Sequence, residues 1–304
     1  MSRIGLVVNP TSGKGRGATA GARTRERLTA AGHSVVDLSG ASLLDAMHHA
    51  RQGVIDGLDA LVVVGGDGMV HLGFNAVAAT TVPLGIVAVG SGNDFARATG
   101  LPRHRVDASV DVLLDALGRS RFRAVDAAHV NVPGHLDGRW FAGVLSAGLD
   151  AAVNDRANRL SFPRGHLKYL RALVGELGAF KPFGYRVTMA ERVWESAGTL
   201  VSVANGPAFG GGLRIAPDAE IDDGQLDVVL AGPFTRWGAM RILPRLYPGT
   251  HLSHPSVDVV RATSVLVEPT DAGLAPPVAM ADGESIGPLP LHVEVHARAV
   301  RLLV

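Results

Sequence analysis

Three glycine-rich segments carry most of the residues that could bind phosphate, and each follows a short apolar run. They span residues 9–17, 65–68 and 90–94. Glycine lets backbone N–H groups approach a ligand closely, and a helix that begins after such a loop presents its positive N-terminal end. Three loops of this kind at one edge of a sheet predict a phosphate-binding surface.

Asp67 is the carboxylate in these loops that is best suited to chemistry. It follows two glycines at the end of an apolar run, so it can face a bound phosphate only through a cation such as Mg²⁺. Neither a Walker loop nor G-x-G-x-x-G is present, because Val8 occupies the first Walker glycine position and Gly15 the hydroxyl position. Asp94 is predicted to be the N-cap of a short helix that begins at Phe95.

Two acidic turns in the second half of the chain allow both a structural and a chemical interpretation. Residues 222–224 read Asp-Asp-Gly, which suits an ordinary turn as well as a hard cation. Glu284 lies in a glycine-containing turn, where a solvated acid is the simpler interpretation from the residues alone. The twelve histidines show neither H-E-x-x-H nor another zinc spacing.

The elements that must position these loops alternate along the first 125 residues. Apolar runs predict strands at 4–8, 34–38, 61–64 and 83–89, and helical periodicity predicts helices at 18–31, 42–52, 69–79 and 106–117. Short uninterrupted strands between helices indicate a parallel α/β sheet covered on both faces. Ligands bind outside the carboxyl ends of such strands, where the three loops lie.

After about residue 125 the pattern becomes mostly antiparallel β. Strands are predicted at 125–132, 141–145, 185–189, 200–204, 226–231, 264–268, 277–281 and 291–296, with helices chiefly at 166–178 and 236–246. Residues 300–304 form a further short apolar run that could return to either sheet. We therefore predict domains at 1–125 and 126–304.

Composition excludes several classes of protein. The 29 basic and 28 acidic residues give a net charge of +1, which argues against a dedicated nucleic-acid binder. No run approaches the ~18 apolar residues of a spanning helix, and residues 4–8 are too short for a signal sequence. With no cysteine, the chain fits a reducing cytoplasm.

Several of these segments resemble the motifs of the diacylglycerol kinase catalytic-domain family, which includes bacterial lipid kinases and sphingosine and ceramide kinases. The glycine-aspartate-glycine loop is shared with phosphofructokinases and NAD kinases, whereas the later blocks are more discriminating. The matching segments are Asn9-Pro-Thr-Ser-Gly13, Gly65-Gly-Asp-Gly68, 83–97, Asn205-Gly206, 210–212, 216–217, 222–227 and 282–284.

The resemblance implies an N-terminal nucleotide-binding α/β domain, a C-terminal β-sandwich domain, and ATP and a lipid meeting in the cleft between them. Glu284 would be the catalytic acid/base, with Asp67 as the second catalytic carboxylate. A metal would be held by the backbone carbonyls of Glu220 and Gln225 and the carboxylate of Asp223. The implied nucleotide-binding residues are Asn9, Pro10, Thr11, Ser12, Gly13, Ser39, Gly65, Gly66, Asp67, Gly68, Met69 and Ser91.

The expected reaction is the ATP- and Mg²⁺-dependent phosphorylation of diacylglycerol to phosphatidic acid. A kinase of another lipid alcohol, such as a sphingoid base or ceramide, stays open. So does a catalytically silent nucleotide- or lipid-binding regulatory protein, because Met69 replaces a usual Thr or Ser. Basic residues between Arg156 and Arg171 predict peripheral contact with an anionic membrane, and a homodimer is left open.

Overall fold

The computed structural model describes residues 1–131, 138–160 and 166–304, and its first part alternates strands with helices. The strands of this part are β1 (Arg3–Val8), β2 (Ser34–Asp37), β3 (Ala60–Gly65) and β4 (Leu84–Ala88). Its helices are α1 (Ser12–Ala30), α2 (Leu43–Ile55), α3 (Asp67–Val77), α4 (Asp94–Ala98) and α5 (Val106–Gly118).

These four strands form a parallel array in the order β2-β1-β3-β4. Every residue of β3 and β4 is buried, because helices cover both faces, which explains why these strands are apolar without alternation. The prediction of a parallel α/β sheet is confirmed. Because β1, β3 and β4 are neighbours, the three glycine-rich loops leave the sheet side by side.

The remaining chain is dominated by antiparallel strands. They are β5 (Arg123–Asn131), β6 (Arg139–Phe141), β7 (Val144–Gly148), β8 (Phe183–Met189), β9 (Arg192–Gly198), β10 (Leu200–Ala204), β11 (Leu226–Ala231), β12 (Val257–Ala262), β13 (Ser264–Pro269), β14 (Ala279–Ala281), β15 (Glu284–Gly287) and β16 (Leu291–Leu302). The helices are α6 (Leu149–Arg159), α7 (His166–Ala179) and α8 (Arg236–Ile242), with 3₁₀ turns at Leu243–Leu246 and Thr250–Ser253.

Two sheets enclose the core of this part. A six-stranded sheet has the order β12-β11-β10-β7-β14-β15, and it faces β5, β6, β8, β13 and β16 of the ten-stranded sheet. Buried side chains such as Phe141, Leu145, Tyr185, Val203 and Val293 fill the space between them. The predicted β-sandwich is confirmed.

Strand β16 connects the two parts of the ten-stranded sheet. It pairs with β13 near its start and with β5 along most of its length, and Leu302 pairs in parallel with Leu84 of β4. Sequence patterning predicted two strands here, whereas the structure has one strand with a bulge between His296 and Val300. Asp126 stabilises this bulge, because its Oδ1 accepts a hydrogen bond from the Arg298 N–H at 2.7 Å. The domain boundary near residue 125 stays a prediction.

Several elements differ from the sequence-based expectation. The strand predicted at 141–145 is two strands, β6 and β7, separated by Ala142 and Gly143. Helix α6 and strand β9 were not predicted, because they are partly exposed and rich in polar residues, which hides the apolar periodicity. Strand β12 was also missed, although four of its six residues are apolar. In the described residues, no helix is both long and apolar enough to cross a bilayer.

Candidate active site

The loop after β1 forms a tightly constrained turn at the start of α1. Asn9 Oδ1 accepts hydrogen bonds from the Thr11 N–H at 3.1 Å and the Thr11 hydroxyl at 2.8 Å. Gly13, Lys14 and Gly15 then adopt φ values of 60°, 63° and 90°. A Cβ on Gly13 would lie 2.1 Å from the Val89 carbonyl oxygen, so only glycine fits there. Successive N–H groups in such turns form concavities that bind anions.

The three glycine-rich loops contact one another at the sheet edge. A Cβ on Gly90 would lie 2.3 Å from Gly66 Cα, and one on Gly65 would lie 3.1 Å from Ser12 Oγ. The structure therefore brings together most of the predicted nucleotide-binding residues, with Pro10, Thr11 and Ser91 exposed to solvent.

Two members of the predicted nucleotide set have other partners in the structure. Ser39 Oγ accepts a hydrogen bond from the Val8 N–H at 3.0 Å, which ties the end of β2 to β1. Met69 is buried in the hydrophobic core of the first part. Neither contact tests a role in binding a nucleotide, so both assignments stay predictions.

Asp67 joins two of the loops through its carboxylate. Its Oδ1 accepts hydrogen bonds from the N–H groups of Asp94, at 2.8 Å, and Phe95, at 3.3 Å. The expectation that Asp94 caps α4 is wrong, since Asn93 is the N-cap residue and Asp67 satisfies the first N–H groups. Asp94 instead pairs with Arg97 and accepts a hydrogen bond from the Gly211 N–H at 2.6 Å. This bond could not be predicted from the sequence, because it joins segments 117 residues apart.

The electrostatic surroundings of Asp67 favour a bound cation. Burial, together with the negative charges of Asp94 and Asp282, raises the pKa of Asp67 to about 6, against the opposing effect of its backbone hydrogen bonds. Ionisation of this carboxyl group is costly in isolation, and it becomes favourable when a divalent ion neutralises the negative charge. The oxygen-rich surroundings are those that Mg²⁺ prefers, so these residues fit that ion.

A two-residue turn carries Glu284 toward this cluster. Asp282 and Gly283 have φ values of 51° and 89° and connect β14 to β15, as expected for an Asp-Gly hairpin. The Asp282 carboxylate accepts hydrogen bonds from the N–H groups of Ala142, at 2.8 Å, and Gly143, at 2.9 Å. These bonds lie where the predicted strand at 141–145 is interrupted, and they anchor the hairpin.

The hairpin also contacts α3, which follows the Asp67 loop. His71 Nδ1 lies 3.4 Å from Asp282 Oδ2, with both side chains buried. Glu284 Oε1 lies 3.4 Å from the position that a Cβ on Gly68 would take. The structure therefore brings Asp67 and Glu284, which are 217 positions apart in the sequence, to the same cleft.

The predicted metal residues of the second half lie in a separate turn before β11. Asp223 Oδ1 accepts a hydrogen bond from the Gln225 N–H at 2.9 Å, and its Oδ2 lies 3.7 Å from an Arg261 guanidinium nitrogen. The Gly224 N–H donates to buried Asp126 at 2.6 Å, while the side chain of Glu220 is exposed. Because Arg261 already supplies positive charge there, a bound cation would be stabilised less than at Asp67. This metal site stays a prediction.

The basic segment predicted to contact a membrane is partly neutralised. Arg156 pairs at 2.9 Å with Glu176 of α7, and Arg159 pairs at 2.8 Å with Asp155, one turn earlier in α6. Arg164 and the side chain of Lys168 lie outside the described residues. The charge run is therefore a weaker basis for docking than its sequence indicates.

Lys14 was not among the predicted site residues, and it offers a first prediction. An L-residue in the left-handed region costs about 1 kcal/mol, so Lys14→Gly should raise the free energy of unfolding by about that amount relative to Lys14→Ala. We expect the exposed Lys14 ammonium group to bind a phosphate oxygen, so both variants should weaken ATP binding about tenfold through the loss of one charge-assisted hydrogen bond. Urea unfolding and an ATP titration measure the two effects. ATP affinity equal to that of the parent in both variants would contradict this role.

Comparisons with known proteins agree with this arrangement. Residues 3–130 match the family described as diacylglycerol kinase catalytic domain, and residues 143–304 match the YegS C-terminal NAD kinase beta sandwich-like domain. A protein named diacylglycerol kinase from Mycobacterium tuberculosis (strain ATCC 25618 / H37Rv) is 33% identical over 305 residues, covering 100% of this chain and 95% of that protein. One of the same name from Bacillus subtilis (strain 168) is 25% identical, covering 88% and 86%.

A solved structure has the same fold. The crystal structure titled as a diacylglycerol kinase from Bacillus anthracis str. Sterne superposes with a TM-score of 0.70 at 20% identity, covering 99% of this chain and 96% of that one. At this identity the likeness shows the fold alone, whereas the sequence matches extend over both parts of the chain. The chain therefore belongs to the diacylglycerol kinase catalytic-domain family of lipid kinases.

Proposed function

We propose that this protein transfers the γ-phosphoryl group of ATP to the free hydroxyl of diacylglycerol, forming phosphatidic acid and ADP. The observation that carries the proposal is the approach of Glu284 to Gly68, because it sets a carboxylate from the β-sandwich part opposite the phosphate-binding loops. Family membership implies a kinase that uses ATP. Diacylglycerol as the acceptor rests on the names of the relatives.

Each group in the cleft has a part in this reaction. The turn at Gly13–Gly15 and the Lys14 side chain would hold phosphate oxygens, and Asp67 would hold Mg²⁺, whose charge would offset the negative charge of the transferring group. Glu284 takes the proton of the acceptor hydroxyl. The acceptor oxygen then forms its bond to the γ-phosphorus as the bond to the bridging oxygen of ADP breaks.

The anchored hairpin positions this base. Asp282 accepts hydrogen bonds from two backbone N–H groups and contacts His71, so the hairpin is fixed both to the connection between β6 and β7 and to α3. A rigid support of this kind keeps the carboxylate of Glu284 within reach of an acceptor hydroxyl. His71 is therefore a positioning residue for the reaction.

Incubation with ATP, Mg²⁺ and a panel of lipid alcohols tests the proposal. The panel contains diacylglycerol, monoacylglycerol, sphingosine and ceramide in mixed micelles, and phosphorylated product is measured. Diacylglycerol should have the highest kcat/KM. Preferred turnover of sphingosine or ceramide would assign the second candidate, and intact ATP binding without turnover of any lipid would assign a regulatory binding protein.

Helix α8 is the surface through which we expect the enzyme to reach lipid. Trp237 and Met240 lie one turn apart on it and are 71% and 47% exposed, and Val174 on neighbouring α7 is 64% exposed. Tyr247 follows with 61% exposure. Exposed tryptophan and tyrosine beside aliphatic side chains suit the interface of a bilayer.

The double variant Trp237→Ser/Met240→Ser should bind vesicles of anionic phospholipid at least about tenfold more weakly, because it removes most of the apolar area of this surface. ATP affinity should be unchanged. Vesicle co-sedimentation measures the effect, and Val193→Ser, at an apolar site 60% exposed on β9, is the matched control. Equal binding by the double variant and the parent would reject α8 as the docking surface.

A further inference from the structure

A cluster of two histidines and one glutamate lies on the outer face of the ten-stranded sheet, apart from the cleft. His129 is on β5, and Glu294 and His296 are on β16. His129 is directly opposite Glu294 in the antiparallel pairing. Their neighbours Ala128, Val130, Val293 and Val295 belong to the sandwich core, so the alternation of a strand sends these three polar side chains outward together.

The three side chains have the spacing of metal ligands. One potential ligand atom from each lies within 4.8 Å of the others. Glu294 Oε1 is 3.9 Å from His129 Nδ1 and 3.3 Å from His296 Nε2. Zinc bonds of about 2.0–2.2 Å separate neighbouring ligand atoms in a tetrahedral site by roughly 3.3–3.5 Å. Small rotations of exposed side chains close the remaining difference.

His129 is held in the orientation that a ligand needs. A Cβ on Gly138 would lie 2.3 Å from His129 Nε2, so the Gly138 backbone covers that edge of the ring. The Nδ1 edge therefore faces Glu294. Among the described residues, His129 Nδ1 is buried without any hydrogen-bond partner, which is costly for a polar nitrogen unless something else satisfies it.

We propose that His129, Glu294 and His296 form a binding site for a divalent transition metal, with Zn²⁺ as the ion that fits best. Two imidazoles and one carboxylate favour Zn²⁺ or Cu²⁺ over Mg²⁺, which prefers oxygen ligands. Coordination uses the neutral form of an imidazole, so the affinity for the metal should fall as the pH is lowered. Three protein ligands leave one position for water.

The location indicates a structural effect of the metal. His296 immediately precedes the bulge through which β16 passes from its pairing with β13 to its contact with β4. A metal that binds His296 and His129 would cross-link β16 to β5 at that point. Binding should therefore stabilise the junction between the sandwich and the nucleotide-binding sheet, independently of the kinase reaction.

Trp140 provides a readout that does not depend on activity. Its ring centroid lies 4.6 Å from that of His129 and 4.8 Å from that of His296. Cu²⁺ bound at the cluster should quench Trp140 fluorescence, and Trp140→Phe should abolish most of this quenching. The full-length protein is treated with EDTA, desalted, and titrated with Zn²⁺ in a calorimeter and with Cu²⁺ in a fluorimeter.

We expect one Zn²⁺ per chain and a melting temperature that rises with Zn²⁺ concentration. His129→Asn and His296→Asn should each raise the Kd for Zn²⁺ at least about tenfold, since even partners outside the ligand set cost that much. His48→Asn, at an exposed histidine on α2, is the matched control and should leave the Kd unchanged.

The outcome that overturns the site is equal Zn²⁺ affinity in His129→Asn, His296→Asn and the parent, or binding that fails to saturate near one equivalent. Both variants change side chains on the outer face, so their melting temperatures without metal should stay near that of the parent. A lipid-phosphorylation assay that fails for every acceptor leaves this result unaffected, because the metal readouts use no substrate.

Discussion

Glu284→Gln is expected to lower kcat for diacylglycerol phosphorylation by about 10²–10⁴-fold, the usual contribution of a general base. Glutamine keeps the shape of the side chain but cannot accept the proton of the acceptor hydroxyl. The phosphate-binding loops belong to the other part of the chain, so the affinity for ATP and the melting temperature should be unchanged. Steady-state kinetics with saturating ATP, together with an ATP titration, measure both expectations.

Glu191→Gln is the matched control for this variant, because Glu191 is exposed in the turn between β8 and β9. It should have the kcat of the parent. If Glu284→Gln turned over within about threefold of the parent, well below the range for a general base, Glu284 would be an ordinary turn residue. Asp67 would then become the stronger candidate for the base.

Asp67→Asn is expected to separate stability from activity. The carboxylate positions Mg²⁺ in the proposed reaction, so kcat should fall at least about 10²-fold and the Mg²⁺ requirement should rise. Stability at pH 8 without Mg²⁺ should instead increase. The change removes a buried negative charge whose pKa is raised from 3.8 to about 6, which corresponds to at most about 3 kcal/mol.

The pH dependence of this difference follows from proton linkage. Between pH 4 and 6 the folded parent binds more protons at Asp67 than the unfolded chain does, so its stability falls as the pH rises through this window. The stability of Asp67→Asn does not fall in this way, because asparagine does not titrate. The two proteins should therefore have similar stability near pH 4 and diverge up to about pH 6, as measured by urea unfolding.

Asp45→Asn tests whether loss of any helix-terminal charge has this effect. Asp45 lies in the first turn of α2 and is exposed, so its replacement should lower stability slightly by removing a favourable interaction with the helix dipole.

Added Mg²⁺ should stabilise the parent and leave the stability of Asp67→Asn unaffected. A destabilised Asp67→Asn at pH 8 would show that its hydrogen bonds to α4 outweigh the cost of the buried charge.

Local patterns in the sequence were sufficient to predict the fold of the nucleotide-binding part. Apolar runs and glycines after β1, β3 and β4 predicted both the parallel sheet and the edge at which its loops meet, because strand burial and turn chemistry are decided within a few residues. For the same reason, the bounds predicted for β10 and β11 match the observed ones. The mostly polar helix α6 was missed because the burial of its few apolar residues comes from distant partners.

The contacts that complete the cleft were decided by tertiary structure. Asp67 caps α4 in place of Asp94, Asp282 anchors its hairpin through backbone groups of the connection between β6 and β7, and Glu284 reaches Gly68 from the far end of the chain. The outward cluster of His129, Glu294 and His296 likewise requires two strands, since only the register of β5 against β16 unites them. A sequence determines the residues that can form such sites, whereas pairing between distant segments determines which of them meet.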